Sequence, residues 1–207
     1  MLSKTPSSMS MFVLMLLLFP LGTQSSEQPS GMILGGSTDA PIRIEVFSDF
    51  QCPACRLFYR ELVLPTLQDY ARKDKVCVVY HEFPLSIHKF AYKAARYCEA
   101  AYIMGRDKAL QIIDTLFSNQ SQWDQDGNVE AILAKSLSKQ DFSKLKSNLQ
   151  DPSINRSIAE GIRLGAEMDV HGTPTMFVYY LGRKQKVENP QQMSFLVLKG
   201  FFDQIVK

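Results

Sequence analysis

The sequence has little of several features that would point to a particular class of protein. Its 207 residues contain 23 Lys and Arg against 21 Asp and Glu, so the formal net charge is only +2 at pH 7. Like charges never run on for more than a few residues, which gives no electrostatic case for binding nucleic acid or an anionic membrane surface. With only three His and four Cys, any special chemistry must come from where these residues are placed.

Low-complexity segments and internal repeats are also missing. Hydrophobic residues make up 45% of the chain and charged residues 21%. This is enough apolar material to bury a core, and it excludes disorder, collagen and coiled coil. The length fits one domain, or one domain that carries a sizeable insertion.

The longest apolar run lies near the N-terminus, over residues 11–19 (MFVLMLLLF), and it ends at Pro20. As a helix this run would span about 14 Å, or about half of a bilayer core, which is too short for a membrane anchor. We therefore predict a cleaved signal peptide over residues 1–25, with cleavage near the small residues Thr23 and Ser25. Export, to the periplasm or outside the cell, implies an oxidising compartment in which disulfides persist.

The remaining chain alternates strand patterns with helix patterns. Residues 26–39 are rich in Ser, Gly and Pro and are predicted to be an N-terminal arm, in which only residues 32–34 could form a short edge strand. Period-two and apolar β-branched patterns predict strands over 41–49, 75–81, 175–180 and 184–187. Helical spacing predicts helices over 52–73 with a break at Pro65, and over 87–104, 107–118, 129–149, 152–168 and 191–206. The order indicates an α/β sheet interrupted by a helical insertion.

A Cys-x-x-Cys motif, Cys52-Pro53-Ala54-Cys55, directly follows the first strand and opens a helix. The unpaired N–H groups and the dipole at a helix N-terminus stabilise a thiolate, so Cys52 is predicted to be the exposed nucleophile. Pro53 occupies a first-turn position, where the missing N–H costs nothing. Cys55 shares helical spacing with Phe58, Tyr59 and Leu62, which places it on the buried side as the resolving thiol.

Two other interpretations of this pair stay open on the motif alone. The pair could be an inert disulfide that fixes a turn, or half of a zinc site. A zinc site needs four ligands, usually as two close pairs, whereas Cys77 and Cys98 are separated in sequence. These two are most simply small buried side chains, and a disulfide between them is an alternative that the sequence cannot decide.

A second motif, Val170-His171-Gly172-Thr173-Pro174, leads into the strand TMFVYY. Together with EVFSDFQCPAC and HEFPLSIHKFAYKAARYCEAA, it makes residues 40–207 resemble the DsbA-like thiol-disulfide oxidoreductases of the thioredoxin-fold superfamily. The resemblance implies a thioredoxin-like domain over 40–87 and 170–207, with a helical domain inserted over 88–169. It also implies a cis Thr173–Pro174 bond that faces the cysteine helix and helps to hold an extended substrate.

The dipeptide between the cysteines departs from the strongest oxidases of this family. Those proteins carry His in the dipeptide, whereas Ala54 has no polar group to offer. We therefore expect the pKa of Cys52 to lie at roughly 4 to 6.5, between the two reference cases known for such motifs.

Three further residues are candidates near this site. Glu45, on the first strand, is a possible proton relay for the resolving thiol, and the alternative is a solvent-facing strand carboxylate. His171 and Pro53 are expected beside the bound substrate together with Thr173. We expect no metal and no cofactor beyond the redox-active cysteine pair.

These observations predict an exported protein disulfide oxidoreductase in which Cys52, Cys55 and Pro174 form the catalytic centre. Its expected partners are reduced or unfolded exported proteins and, as the resemblance implies, a membrane quinone-linked thiol oxidase that restores the disulfide. A monomer is expected, because the arm is too short for the dimerisation domain of the related isomerases. The alternatives are a disulfide reductase or isomerase, and a thioredoxin-like module that binds a peptide or a partner protein and has only a structural disulfide.

Overall fold

The computed structural model describes residues 30–187 and 190–206. The predicted signal peptide and the first residues of the predicted arm lie outside these ranges. Within them, no helix combines the length and the apolar character that crossing a bilayer requires.

A five-stranded mixed sheet forms the centre of the molecule. In space the strands lie in the order β1-β3-β2-β4-β5. The pair β2 and β3 is parallel and the other neighbouring pairs are antiparallel. β1 lies within the predicted arm, so part of that arm is an edge strand of the sheet. The strands are β1 (Met32–Gly35), β2 (Ile42–Ser48), β3 (Val76–Glu82), β4 (Thr175–Tyr180) and β5 (Arg183–Val187).

The two faces of β2 pack into different cores. Ile42, Ile44 and Val46 are fully buried in the main core, which also contains both cysteines of the motif. Phe47 points to the other face and packs with Phe177 in a smaller core. This follows from the alternation of side chains along a strand.

Between β2 and β3 the chain forms consecutive helical segments of three types: α, π and 3-10. It consists of α1 (Pro53–Phe58), a π-helical turn (Tyr59–Val63), α2 (Leu64–Asp69) and a 3-10 turn (Ala71–Lys73). Pro65 has no N–H for the carbonyl four residues earlier, and its ring would crowd that carbonyl in a regular α-helix. The predicted break therefore takes the form of a π-helical turn, which widens the helix immediately before Pro65.

The helical insertion lies between β3 and β4, as predicted. The expected helix over 129–149 is two helices, because Ser138 caps a new one by accepting a hydrogen bond from the N–H of Asp141 at 3.0 Å. The short α5 was not predicted. The helices are α3 (Ala91–Met104), α4 (Arg106–Ser118), α5 (Gln120–Trp123), α6 (Val129–Ser136), α7 (Lys139–Asn148) and α8 (Pro152–Glu167), and α9 (Phe195–Ile205) follows the sheet.

Candidate active site

Cys52 is the N-cap residue of α1. Its backbone is extended, with φ −73° and ψ 116°, and Pro53 follows in the first turn of the helix. The carbonyl of Cys52 accepts the N–H of Arg56 at 3.2 Å, which starts the helix. The sulfur thus occupies the place where a capping side chain meets the free N–H groups of the first turn.

These surroundings lower the pKa of the Cys52 thiol from 9.0 to about 6. The largest cause is the neighbouring thiol of Cys55, which donates a hydrogen bond to the Cys52 sulfur. Burial opposes this shift, whereas the N–H groups of Cys55 and Ala54 and the hydroxyl of Thr173 add to it. The value lies inside the range expected from the sequence.

Cys55 shows the opposite behaviour. Its side chain is fully buried, and Phe58, Tyr59 and Leu62 are buried with it on the same side of the helix. Burial raises the pKa of Cys55 well above 9.0, and the sulfur of Cys52 raises it further. Near neutral pH the pair therefore consists of an ionisable outer thiol and a protonated inner thiol.

The loop before β4 closes the site from the opposite side. The Sγ of Cys52 donates a hydrogen bond to the carbonyl of Thr173 at 3.3 Å, across 121 positions of sequence. The Thr173–Pro174 peptide bond is cis. Within the described part of the chain, the buried hydroxyl of Thr173 has no hydrogen-bond partner at ordinary distance, and it lowers the pKa of both thiols.

Asp49 organises the loop that leads into the cysteine helix. Its carboxylate accepts hydrogen bonds from the N–H groups of Gln51 and Leu85, both at 2.7 Å, and contacts Nδ1 of His88 at 2.8 Å. The side chain of Asp49 is fully buried. These contacts fix the start of the inserted domain against the cysteine loop.

Glu45 is not brought to the cysteine pair. It shares a sheet face with Phe47, opposite the face that packs against the cysteines. The alternative of a solvent-facing carboxylate is wrong, because Glu45 is only 4% exposed. Burial raises its pKa, but contacts with His81 at 3.3 Å, Arg43 at 3.0 Å and Tyr179 at 3.4 Å outweigh burial and lower the pKa overall.

The other candidate residues differ in their surroundings. Pro53 is exposed at the start of α1. His171 lies in solvent, with 81% of its side chain exposed, and its Nε2 lies 2.8 Å from Oδ1 of Asp169.

Two glutamines near the cysteine loop were missed in the sequence. Gln51 and Gln120 both bond backbone groups around this loop. Gln51 lies within the EVFSDFQCPAC motif, but nothing in that motif assigns it a role, and Gln120 lies in no motif. Their part is visible only once the inserted helices are placed beside the loop.

The remaining cysteines are buried free thiols. Cys77 lies in β3, and Cys98 lies in α3. Among the residues that the structure describes, no group of three His, Cys, Asp or Glu side chains could hold a metal ion.

The fold and the site together define a class of protein. A βαβ unit presents a Cys-x-x-Cys pair at a helix N-terminus, and a threonine-proline loop faces the outer sulfur. This is the arrangement of a thioredoxin-fold protein that exchanges thiols and disulfides.

Comparison with known proteins identifies the family. The family model described as Thioredoxin matches residues 27–195. A probable disulfide bond formation protein D from Bacillus cereus is 30% identical over 148 residues, which cover 69% of this chain and 68% of that protein. Disulfide bond formation protein D from Bacillus subtilis is 28% identical over 159 residues, 74% of this chain and 71% of that protein.

Solved structures agree with the fold. Oxidised BdbD from Bacillus subtilis superposes with a TM-score of 0.68 at 22% identity, covering 86% of this chain and 93% of that one. α-DsbA1 from Wolbachia pipientis gives a TM-score of 0.67 at 18% identity, covering 92% and 94%. The chain belongs to the thioredoxin family and is a DsbA-like protein disulfide oxidoreductase.

Proposed function

We propose that the protein is an exported oxidase that introduces disulfide bonds into reduced or unfolded proteins through a mixed disulfide at Cys52. One observation carries the proposal. The Cys52 sulfur lies at a helix N-terminus, 3.3 Å from the carbonyl of Thr173, with its pKa lowered to about 6. A stable thiolate favours the reduced form of the pair, so the disulfide form is oxidising.

The first step is attack on the Cys52–Cys55 disulfide. A substrate thiolate attacks Sγ of Cys52, the S–S bond breaks, and Cys55 leaves as a thiolate and takes up a proton. The prediction that Cys52 is exposed is wrong, because only 7% of the residue is accessible. Attack at Cys52 is nevertheless favoured, because Cys55 is completely buried. The product is a substrate–Cys52 mixed disulfide.

The second step releases the oxidised substrate. A second substrate thiolate attacks the substrate sulfur of the mixed disulfide, and Cys52 leaves as a thiolate. A low pKa makes Cys52 a good leaving group. Two electrons pass from the substrate dithiol to the cysteine pair, which ends as the dithiol.

The substrate is held beside the threonine-proline loop. An extended chain can add main-chain hydrogen bonds to the backbone of Thr173, as in strand addition to a sheet edge. Pro53 and His171, both exposed, are proposed to flank the bound segment, and Pro174 shapes the loop.

Each turnover leaves a dithiol that must be oxidised again. We assign this step to a membrane quinone-linked thiol oxidase, on the strength of the family resemblance. The protein is proposed to act as a monomer after removal of residues 1–25, without a metal or other cofactor.

The test is oxidation of a reduced, unfolded model protein by stoichiometric amounts of the disulfide form. Wild type should oxidise it rapidly, whereas Cys52→Ser and Cys55→Ser, which cannot form the disulfide, should be inactive. When Cys55→Ser is instead given a substrate that contains a disulfide, the Cys52 thiolate should attack that bond and the mixed disulfide should accumulate, because Cys55 is absent and cannot resolve it. Cys77→Ala, which removes a buried cysteine outside the pair, is the matched control. Equal rates for wild type and Cys52→Ser would instead indicate a binding module with a structural disulfide.

The net direction is tested by the reduction potential of the Cys52–Cys55 pair. About 30 mV corresponds to 1.4 kcal/mol for this two-electron couple. A potential close to that of thioredoxin would contradict an oxidase and favour a reductase.

A further inference from the structure

The side-chain amide of Gln120 reaches from the inserted domain into the loop that carries Cys52. Gln120 is the first residue of α5 and is 3% exposed. Its Nε2 donates hydrogen bonds to the carbonyls of Phe50 at 2.7 Å and Cys52 at 3.1 Å. Since a glutamine amide nitrogen has two hydrogens, both of its donors are used in this way.

The helix that carries Gln120 is itself fixed. Trp123, at the other end of α5, is fully buried, and its Nε1 donates to the carbonyl of Leu116 at 3.0 Å. The carbonyl of Gln120 accepts the N–H of Asp124 at 2.9 Å. The amide is therefore presented to the loop by a rigid part of the inserted domain.

Gln51 makes the reciprocal connection. Its Nε2 donates to the carbonyl of Asp124 at 2.8 Å, and its Oε1 accepts the N–H of Phe90. In the sequence, Gln51 lies between Phe50 and Cys52, the two residues whose carbonyls Gln120 binds. Its side chain thus bonds the inserted domain from the loop. Hydrogen bonds therefore run from the inserted domain to the cysteine loop and from the loop back to the domain.

The position of the Cys52 carbonyl bears directly on the Cys52 sulfur. The sulfur meets the N–H groups of Ala54 and Cys55 only while the backbone of Cys52 stays extended, at ψ 116°. The two hydrogen bonds from Gln120 to the carbonyls of Phe50 and Cys52 therefore limit rotation of the backbone that carries the sulfur.

We propose that Gln120 is a positioning residue for Cys52, holding the carbonyls of Phe50 and Cys52 so that the sulfur stays against the first N–H groups of α1. The inference rests on the proposed function, in which this sulfur is the reacting atom. It gives the inserted domain a direct part in the reactivity of the cysteine pair, in addition to covering the core.

The experiment replaces Gln120 by methionine, which has a similar length and no donor. The pKa of Cys52 is measured in the reduced protein from the ultraviolet absorbance of the thiolate against pH, with Cys52→Ser as the blank. We expect Gln120→Met to raise this pKa by about one unit, which is about a tenfold loss of thiolate at a pH below it. Gln122→Met is the matched control, because Gln122 is exposed on the same helix and donates to Oδ1 of Asn119.

A folded Gln120→Met protein with the wild-type pKa would overturn the inference, since a purely structural role would lower the melting temperature without moving the pKa. If Gln120→Met shows no cooperative melting, Gln120→Asn takes its place. It keeps the amide but is one methylene shorter, and the same rise is expected. Failure of the wild-type protein in the oxidation assay would contradict the proposed function but would leave this pKa comparison valid.

Discussion

At the scale of single residues, the two cysteines of one motif have opposite acidities because they occupy different positions on one helix. Cys52 precedes the helix, and its pKa is lowered first by the hydrogen bond from the Cys55 thiol and then, to a smaller extent, by the first N–H groups of the helix and by Thr173. Cys55 lies inside the core, where burial disfavours the thiolate and raises its pKa. The chemical difference between nucleophile and resolving thiol therefore comes from placement, since the two side chains are identical.

The lowered pKa of Cys52 makes the stability of the reduced protein depend on pH. The folded pKa of about 6 lies below the ordinary value of 9.0, so ionisation of Cys52 stabilises the fold as pH rises above 6, and this contribution is lost as pH falls through 6. Between pH 6 and 8, the free energy of unfolding of reduced wild type should therefore increase relative to that of reduced Cys52→Ala. Urea denaturation of both proteins across this range measures the difference. Parallel curves would show that the thiolate is not stabilised by the fold.

At the scale of elements, α8 of the helical insertion packs closely against the end of β3. A Cβ atom added at Gly161 would lie 2.5 Å from the carbonyl oxygen of Glu82, which is too close for any packed structure. The helix approaches the strand end so closely because it has no side chain at this point. The segment that follows β3 includes Leu85, whose N–H donates a hydrogen bond to the carboxylate of Asp49.

Gly161→Ala should therefore destabilise the protein. Alanine favours a helix by about 1 kcal/mol over glycine, but α8 must move away from β3, and overpacking of this kind typically costs about 1–3 kcal/mol. We expect a net loss in the free energy of unfolding, measured by urea denaturation, with exposed Ala159→Ser on the same helix as the control. A neutral or stabilised Gly161→Ala protein would show that the helix can shift freely.

At the scale of the whole molecule, the sheet separates the two cysteines outside the motif. Cys98 packs in the main core with Val76, Val78 and Tyr80, which occupy one face of β3. Cys77 alternates with these residues and pairs in register with Arg43 on the other face. A disulfide between Cys77 and Cys98 would have to pass through the sheet.

Mass spectrometry of the oxidised protein should reflect this separation. Alkylation in denaturant without reductant should block two thiols, Cys77 and Cys98, while Cys52 and Cys55 stay linked. After reduction, four thiols should be blocked. A protein with no free thiol before reduction would mean that a second disulfide forms, and the sheet would have to be arranged differently.

The sequence predicted most of the fold because its signals are local. Alternation along β2, the apolar β-branched run of β3 and the helical spacing of the predicted helices each depend on neighbouring residues only. The sequence predicted less well the surroundings of side chains whose contacts are made by residues far away in the chain. Glu45 looked like a residue of the polar face, yet His81, Arg43 and Tyr179 bury it. Gln120 carried no local signal at all.

The sequence by itself determined the chemistry available to this protein, because a cysteine pair at the start of a helix and a threonine-proline loop before a strand are defined by adjacent residues. Only the tertiary structure decided how that chemistry is controlled. It brought the carbonyl of Thr173 within 3.3 Å of the Cys52 sulfur, buried Glu45 beside His81 and Tyr179, and placed Gln120 on the cysteine loop. Such contacts join residues that are far apart in the chain, so they exist only after the sheet and the inserted helices have packed together.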